Sequence, residues 1–133
     1  MDAGRDLFAQ YEPITPDTVL AALRGRVGAV RGVNAQSLAL QLTGRTRAAD
    51  QRRLRQVIEA LRRAGHCICA HPATGYYRAG CDKDVDDTCE FLYARAMTSL
   101  QQVSAMKRVQ LPDLRGQLGL PLQKETSDES SDQ

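Results

Sequence analysis

The sequence predicts a mainly α-helical chain with one small β-hairpin, an α+β fold that closes on a long C-terminal helix. Three patterns carry this expectation. Between Asp50 and Arg63, the residues Leu54, Val57, Ile58 and Leu61 recur at the spacing of one face of an α-helix. In "HCICAHPATGYYRAG", two short alternating runs flank Pro72-Ala73-Thr74-Gly75, where Pro and Gly supply turn chemistry. From Val85 through Cys89, Leu92, Ala96, Ser99 and Val103 to Met106 the chain keeps a four-three seam, widened by Phe91 and Leu100, which describes one long helix.

Each element has its own local signals. Residues 1–14 carry no period and read as an N-terminal arm that docks Leu7, Phe8, Tyr11 and Ile14. "TPDTVLAALRG" reads as a helix with Thr15 as cap, Pro16 in the first turn, Asp17 on the dipole and Gly25 as stop. "RVGAVRGV" is punctuated by glycine and predicts a loop with at most a short strand near Val30 to Val33. "NAQSLALQLTG" is a second short helix, capped by Asn34, stacked through Leu38 and Leu42 and ended by Gly44. The segment "TGRTRAAD" then reads as a long turn leading to Asp50, the expected cap of the third helix, which Gly65 closes as a left-handed cap. In the hairpin, Tyr76 and Tyr77 point to opposite faces, one to the core and one outward.

The long helix is expected over residues 82–110, with its regular part from Asp84 to Val109, about 40 Å at 1.5 Å per residue. Its first turns are acidic and its end carries Lys107 and Arg108, matching the macrodipole. Pro112 stops it. Leu111, Leu114, Leu118 and Leu120 suggest a short leucine-bearing segment over 111–123. Residues 124–133, rich in Ser, Asp and Glu, read as a disordered acidic tail.

Charge is distributed unevenly. The formal net charge is +2, yet from Arg24 to Arg63 ten arginines face only Asp50 and Glu59, a balance of 10 − 2 = +8. From Asp82 to Glu90 five acids face one lysine. A basic stretch inside a near-neutral chain is the footprint of a polyanion binder. Most of the basic residues are arginine, whose planar fork suits phosphate and guanine. A bland compositional bias toward Arg and Ala is the competing explanation.

The residues "QSLALQL", "DQRRLRQVIEALRRAGH" and "ATGYYRA" resemble the winged helix-turn-helix family, in its biotin-repressor-like and DeoR-like form, over about Thr15 to Arg78. The whole chain also resembles winged-helix proteins encoded in phages and prophages. The resemblance implies a wing-bearing DNA-binding domain over 15–80, with the third helix reading the major groove. It departs from the family in the long turn before that helix, where three or four residues are usual. Beside it stands the chemistry of the residues. Gln51, Arg52 and Arg55, with Arg53 and Gln56 close by, occupy the N-terminal half that a recognition helix presents to base edges. Arg pairs in a bidentate manner with guanine and Gln with adenine. Arg45 and Arg47 are placed to reach phosphates from the turn, and His71, Thr74 and Arg78 to touch a minor groove or its phosphates from the wing. Arg62 and Arg63, at the far end, read as solvated or as complementing the dipole.

Other chemistries find little to build on. There is no glycine-rich phosphate loop and no nucleophile–histidine–carboxylate arrangement, so no enzyme is expected. Cys67, Cys69 and His71 share one face of a strand and Cys81 and Cys89 follow, but the spacing lacks paired metal-ligand motifs. Buried thiols are the simpler reading, and neither metal nor cofactor is expected. No apolar run is long enough for a membrane span and Met1 to Gln10 is not a signal peptide, so the expected location is cytoplasmic, nucleoid-associated when DNA is bound. The expected partners are double-stranded DNA and a second copy of the chain, joined through Val85, Cys89, Leu92, Ala96, Leu100, Val103 and Met106. Alternatively the long helix folds back with Phe91 and Leu92 in the core. The alternative function is a protein-interaction module, an adaptor or inhibitor of a host or phage replication or transcription protein.

Overall fold

Thr15 sets the first helix as its sequence suggests. In the computed structural model, which describes residues 11–111 and 115–120, the Thr15 hydroxyl accepts the Thr18 N–H at 3.2 Å, and the Thr18 hydroxyl accepts the Thr15 N–H at 2.9 Å. This reciprocal cap opens α1, Pro16–Leu23, with Pro16 in its first turn. Asn34 Oδ1 accepts the Ser37 N–H at 2.7 Å and opens α2, Ala35–Thr43, which Gly44 ends in the left-handed region at φ 77°. Then follow α3, Ala48–Arg63, the strands β1, Ile68–His71, and β2, Gly75–Arg78, the long α4, Asp82–Lys107, and a single turn α5, Arg115–Leu118. The chain is therefore mainly helical with one small antiparallel hairpin and a long C-terminal helix. It divides into two units, Met1–Thr88 and Cys89–Gln133, and α4 begins in the first and continues through the second.

In the first unit, α1, α2 and α3 pack on one another around Val19 and Leu23, Leu38 and Leu42, and Leu54, Val57, Ile58 and Leu61. The stripe predicted in α3 is buried along its whole length, while Arg52, Arg55 and Gln56 remain exposed. Ile14 closes the core from the arm, and the Glu12 N–H donates to the Leu42 carbonyl at 2.7 Å. Leu7 and Phe8 of the expected arm, like Leu114 and the acidic tail over 124–133, lie outside the described residues.

The hairpin is covered on both faces. Its register pairs Ile68 with Arg78, Cys69 with Tyr77 and Ala70 with Tyr76. Ile68 and Tyr76 face the three-helix core, and Cys69 and Tyr77 are buried on the other side. There the start of α4 seals the sheet. The Ala70 N–H donates to the Thr88 hydroxyl at 3.2 Å, and the Cys69 thiol donates to the Asp84 carbonyl at 3.4 Å. Tyr76 is thus half-buried rather than outward, a correction to the expected division between the two tyrosines. The strand expected near Val30 to Val33 is also corrected. Ala29–Arg31 is a 3-10 turn, and only single bridges, Val27 to Arg78 and Val33 to Tyr76, flank it along β2.

In the second unit α4 runs on to Lys107, three residues short of the expected end at 110. Arg108 takes a left-handed conformation at φ 57°, and the Val109 N–H closes on the Ser104 carbonyl at 3.1 Å, which ends the helix. The chain then returns upstream. The Arg115 guanidinium meets the Glu90 carboxylate at 2.6 Å and lies 4.6 Å from the centre of the Tyr93 ring. This side of α4 is therefore occupied by the chain itself. Of the expected dimer seam, Leu92 is half-buried, and Cys89, Ala96, Leu100, Val103 and Met106 are exposed, Met106 at 79%. Phe91 is also exposed, with Arg95 5.7 Å from its ring centre, which argues against a core place for it. Val85, in the first unit, is half-buried.

Candidate nucleic-acid interface

The start of α3 decides which arginines are free to act. The helix begins at Ala48, not after Asp50, because Ala48 and Ala49 are strong helix formers and extended Arg47 (φ −121°, ψ 139°) precedes them. The connection from α2 to α3 is thus the four residues Gly44 to Arg47 rather than the long turn the sequence suggests. Asp50 becomes the third residue of the helix, where a carboxylate complements the dipole. It also reaches back to the turn, accepting from Arg45 Nε at 2.8 Å and Nη2 at 3.3 Å. That hydrogen bond, aided by the charge of Arg45, holds the Asp50 carboxyl below its ordinary range. Arg45 is consequently clamped to Asp50.

Two more arginines have structural work. Arg53 Nε donates to the Ile14 carbonyl at 3.4 Å and ties the arm to α3. Arg62 Nε donates to the Ile68 carbonyl at 2.8 Å and ties the end of α3 to β1, while its Nη2 is buried without a partner. Arg47, Arg52, Arg55 and Gln56 are exposed and, among the described residues, make no ion pair or side-chain hydrogen bond. Gln51 is half-buried beside the stripe. By helical geometry Arg52, Gln56, Glu59 and Arg63 form one ridge opposite the buried face. Glu59 interrupts that ridge and separates a basic N-terminal half from Arg63. Exposed Ala48 and Ala49, whose small side chains leave the first turn open to close approach, and Glu59 carry no motif that marks these places in the sequence.

At the hairpin tip His71 is exposed. Its Nδ1 accepts the Ala73 N–H at 3.0 Å, which turns Nε2 outward. Thr74 turns inward, with its hydroxyl oxygen buried against Gly32, so it offers no donor to an external groove. Arg78 is half-buried at the outer end of β2. The exposed residues that the fold leaves together on α3 and its turn are therefore Arg47, Arg52, Arg55 and Gln56, with Arg45 and Arg53 engaged elsewhere.

The cysteines do not gather. Cys69 is buried, and that burial pushes its thiol up, whereas Cys67, Cys81 and Cys89 are exposed. Among the described residues no group of three His, Cys, Asp or Glu side chains is placed to hold a metal ion, and no helix is long and apolar enough to cross a membrane. The chain matches no family model, no curated protein and no solved structure.

Proposed function

We propose that the chain is a sequence-specific double-stranded DNA-binding protein of the winged helix-turn-helix kind, acting in transcriptional control or at a replication origin of a phage-like element. In this reading α3 is the recognition helix and the β1–β2 hairpin is the wing. One observation carries it: Arg52, Arg55 and Gln56 stand exposed and, among the described residues, unpartnered on the first half of a helix whose other face is buried. Such side chains ride on a rigid backbone, so binding need order only their own rotamers when they meet base edges. Arg52 and Arg55 supply bidentate donors to guanine, Gln56 matches adenine, and Arg47 reaches a phosphate from the turn. The four-residue connection before α3 has the length usual in that family, which supports the reading.

The test is selection of bound sequences from a random duplex pool, followed by titration of the selected site. The Arg52→Ala/Arg55→Ala variant is expected to lose at least tenfold in affinity for that site, since each bidentate pair contributes about 1–3 kcal/mol of discrimination. Its thermal midpoint should match the parent because both side chains are exposed. Failure of the parent to enrich any sequence rejects the reading.

A second reading rests on the apolar residues that α4 leaves uncovered. Leu100 (40% exposed), Val103 (44%) and Met106 (79%) suit a protein partner, a second copy of the chain first of all. A host or phage replication or transcription protein on the same stripe would make the chain an interaction module.

A further inference from the structure

The loop between α1 and α2 carries three arginines that the recognition helix does not use. We infer that Arg24, Arg26 and Arg31, with Arg78 beside them, form a second contact for the sugar-phosphate backbone of a duplex, separate from α3. The inference takes its ligand from the DNA-binding reading above.

The loop is fixed to β2 rather than hanging free. The Arg78 N–H donates to the Arg26 carbonyl at 2.6 Å, and the Gly28 N–H donates to the Arg78 carbonyl at 2.9 Å. Val33 and Tyr76 exchange two further bonds at 2.9 and 2.8 Å. At Gly32 an added Cβ would lie 2.5 Å from the Thr74 carbonyl oxygen, so the loop presses directly on the hairpin turn. These links bridge Val27 to Arg78 and so hold Arg26, the residue before Val27, on the backbone segment next to β2. Arg26 Nη1 donates to the Arg31 carbonyl at 3.0 Å, which orients the guanidinium over the 3-10 turn and leaves its remaining donors for an outside acceptor.

Among the described residues no carboxylate forms an ion pair with these arginines. From Thr18 to Ala49 the chain has no Asp or Glu. Of the acids that follow β2, Asp84 accepts the Gly80 N–H at 2.8 Å and Asp87 pairs with Lys83 at 2.8 Å. Arg24 and Arg31 are exposed, and Arg26 and Arg78 are half-buried, none of them in an ion pair among the described residues. Packing anchors the loop at its end through buried Val33 but does not account for its apex, since Val30 is 96% exposed and Val27 is 49% exposed. Four arginines on one loop and the strand it bridges, none of them in an ion pair among the described residues, offer guanidinium forks that a row of phosphates can meet with bidentate bonds. Contacts of this kind position a protein on the duplex and carry no sequence information.

The experiment compares the full chain with Arg24→Gln/Arg31→Gln, two exposed positions whose side chains make no hydrogen bond or ion pair among the described residues. Circular dichroism and the thermal midpoint establish that the variant is folded. Fluorescence anisotropy then measures affinity for the selected site and for a random duplex across a salt series. Loss of two phosphate contacts lowers the slope of log K against log salt by about 1.8. The expected result is that fall, equal on both duplexes, with the specificity ratio unchanged. An unchanged slope and affinity overturns the inference while the DNA reading stands. A parent that binds neither duplex at any salt rejects the DNA reading and with it the phosphate assignment. A parent retained on polyglutamate but not on duplex, with retention lost in the variant, assigns the loop to an acidic protein surface and likewise overturns the proposal.

Discussion

At position 75 a methyl group has no room. Gly75 sits at φ 94°, and a Cβ there would lie 2.3 Å from the carbonyl carbon and oxygen of Val33 and 2.5 Å from the Asn34 nitrogen. Gly65 has a similar φ of 102° but open space around it. Gly75→Ala is therefore expected to cost more than Gly65→Ala. Both lose about 1–3 kcal/mol to backbone strain, and only the former also breaks the pairing of Val33 with Tyr76. Urea unfolding of the two variants measures the difference, and equal midpoints would show that the loop does not depend on that close approach. Thr88 gives a second test at this scale. It is 5% exposed and its hydroxyl accepts the Ala70 N–H, so Thr88→Val keeps the shape and orphans a backbone donor, at a cost of about 1–3 kcal/mol. Single residues were legible where the physics is local. Thr15, Asn34, Gly44 and Gly65 cap as their sequence contexts indicate because a cap involves only the next few residues. Asp50 was misplaced because an acid suits the cap and the third helical position alike, and only the reach to Arg45 distinguishes them. The inward turn of Thr74 depends on Gly32, far away in the chain, which no local pattern encodes.

Among the elements, α3 was legible from its period, and its start was not. Its N-terminus is held by the Arg45–Asp50 pair, which makes helix stability there depend on pH with a defined sign. The Asp50 carboxyl is held below its unfolded value by the hydrogen bond from Arg45. Its contribution is thus complete above the unfolded value, near 3.9, and is lost as pH falls through the lowered folded value. Asp50→Asn should lower the urea midpoint at neutral pH, and the gap from the parent should close on acidification. A gap independent of pH would mean that the pair does not anchor the helix. The same variant releases Arg45, so affinity for random duplex should rise modestly and with it the salt slope. The hairpin's existence was legible from its alternation and turn, but its coverage on both faces was not. Ile68 and Cys69 are adjacent and both buried, one under the three-helix core and one under the start of α4. A short strand between two layers carries no alternation of exposure to read.

For the whole molecule, the open question is what α4 pairs with. Its length and seam were legible, but the seam's partner was not, because a four-three spacing looks the same whether a helix meets its own chain or another. In the second unit the returning segment takes the side of Glu90 and Tyr93 through Arg115. Cys89, Ala96, Leu100, Val103 and Met106 are left exposed, and all but Cys89 and Ala96 are large apolar side chains. Exposed Leu, Val and Met on one long helix lose hydration cost when a second copy covers them, at roughly 25 cal/mol per Å² of apolar surface removed from water. The full chain is therefore expected to scatter light as a dimer, and Val103→Glu/Met106→Glu as a monomer with unchanged helical content, since neither residue is buried within its own chain. The consequence for DNA follows from symmetry. Two recognition helices related by a two-fold axis bind half-sites about one helical turn apart, so the selected sequence should be palindromic. The charge-reversed monomer should then retain its contact with a single half-site and lose the added affinity of the second. A monomeric parent with a palindromic consensus would place dimer formation on the DNA itself, and a monomeric parent with an asymmetric consensus would leave the apolar stripe of α4 to a different protein.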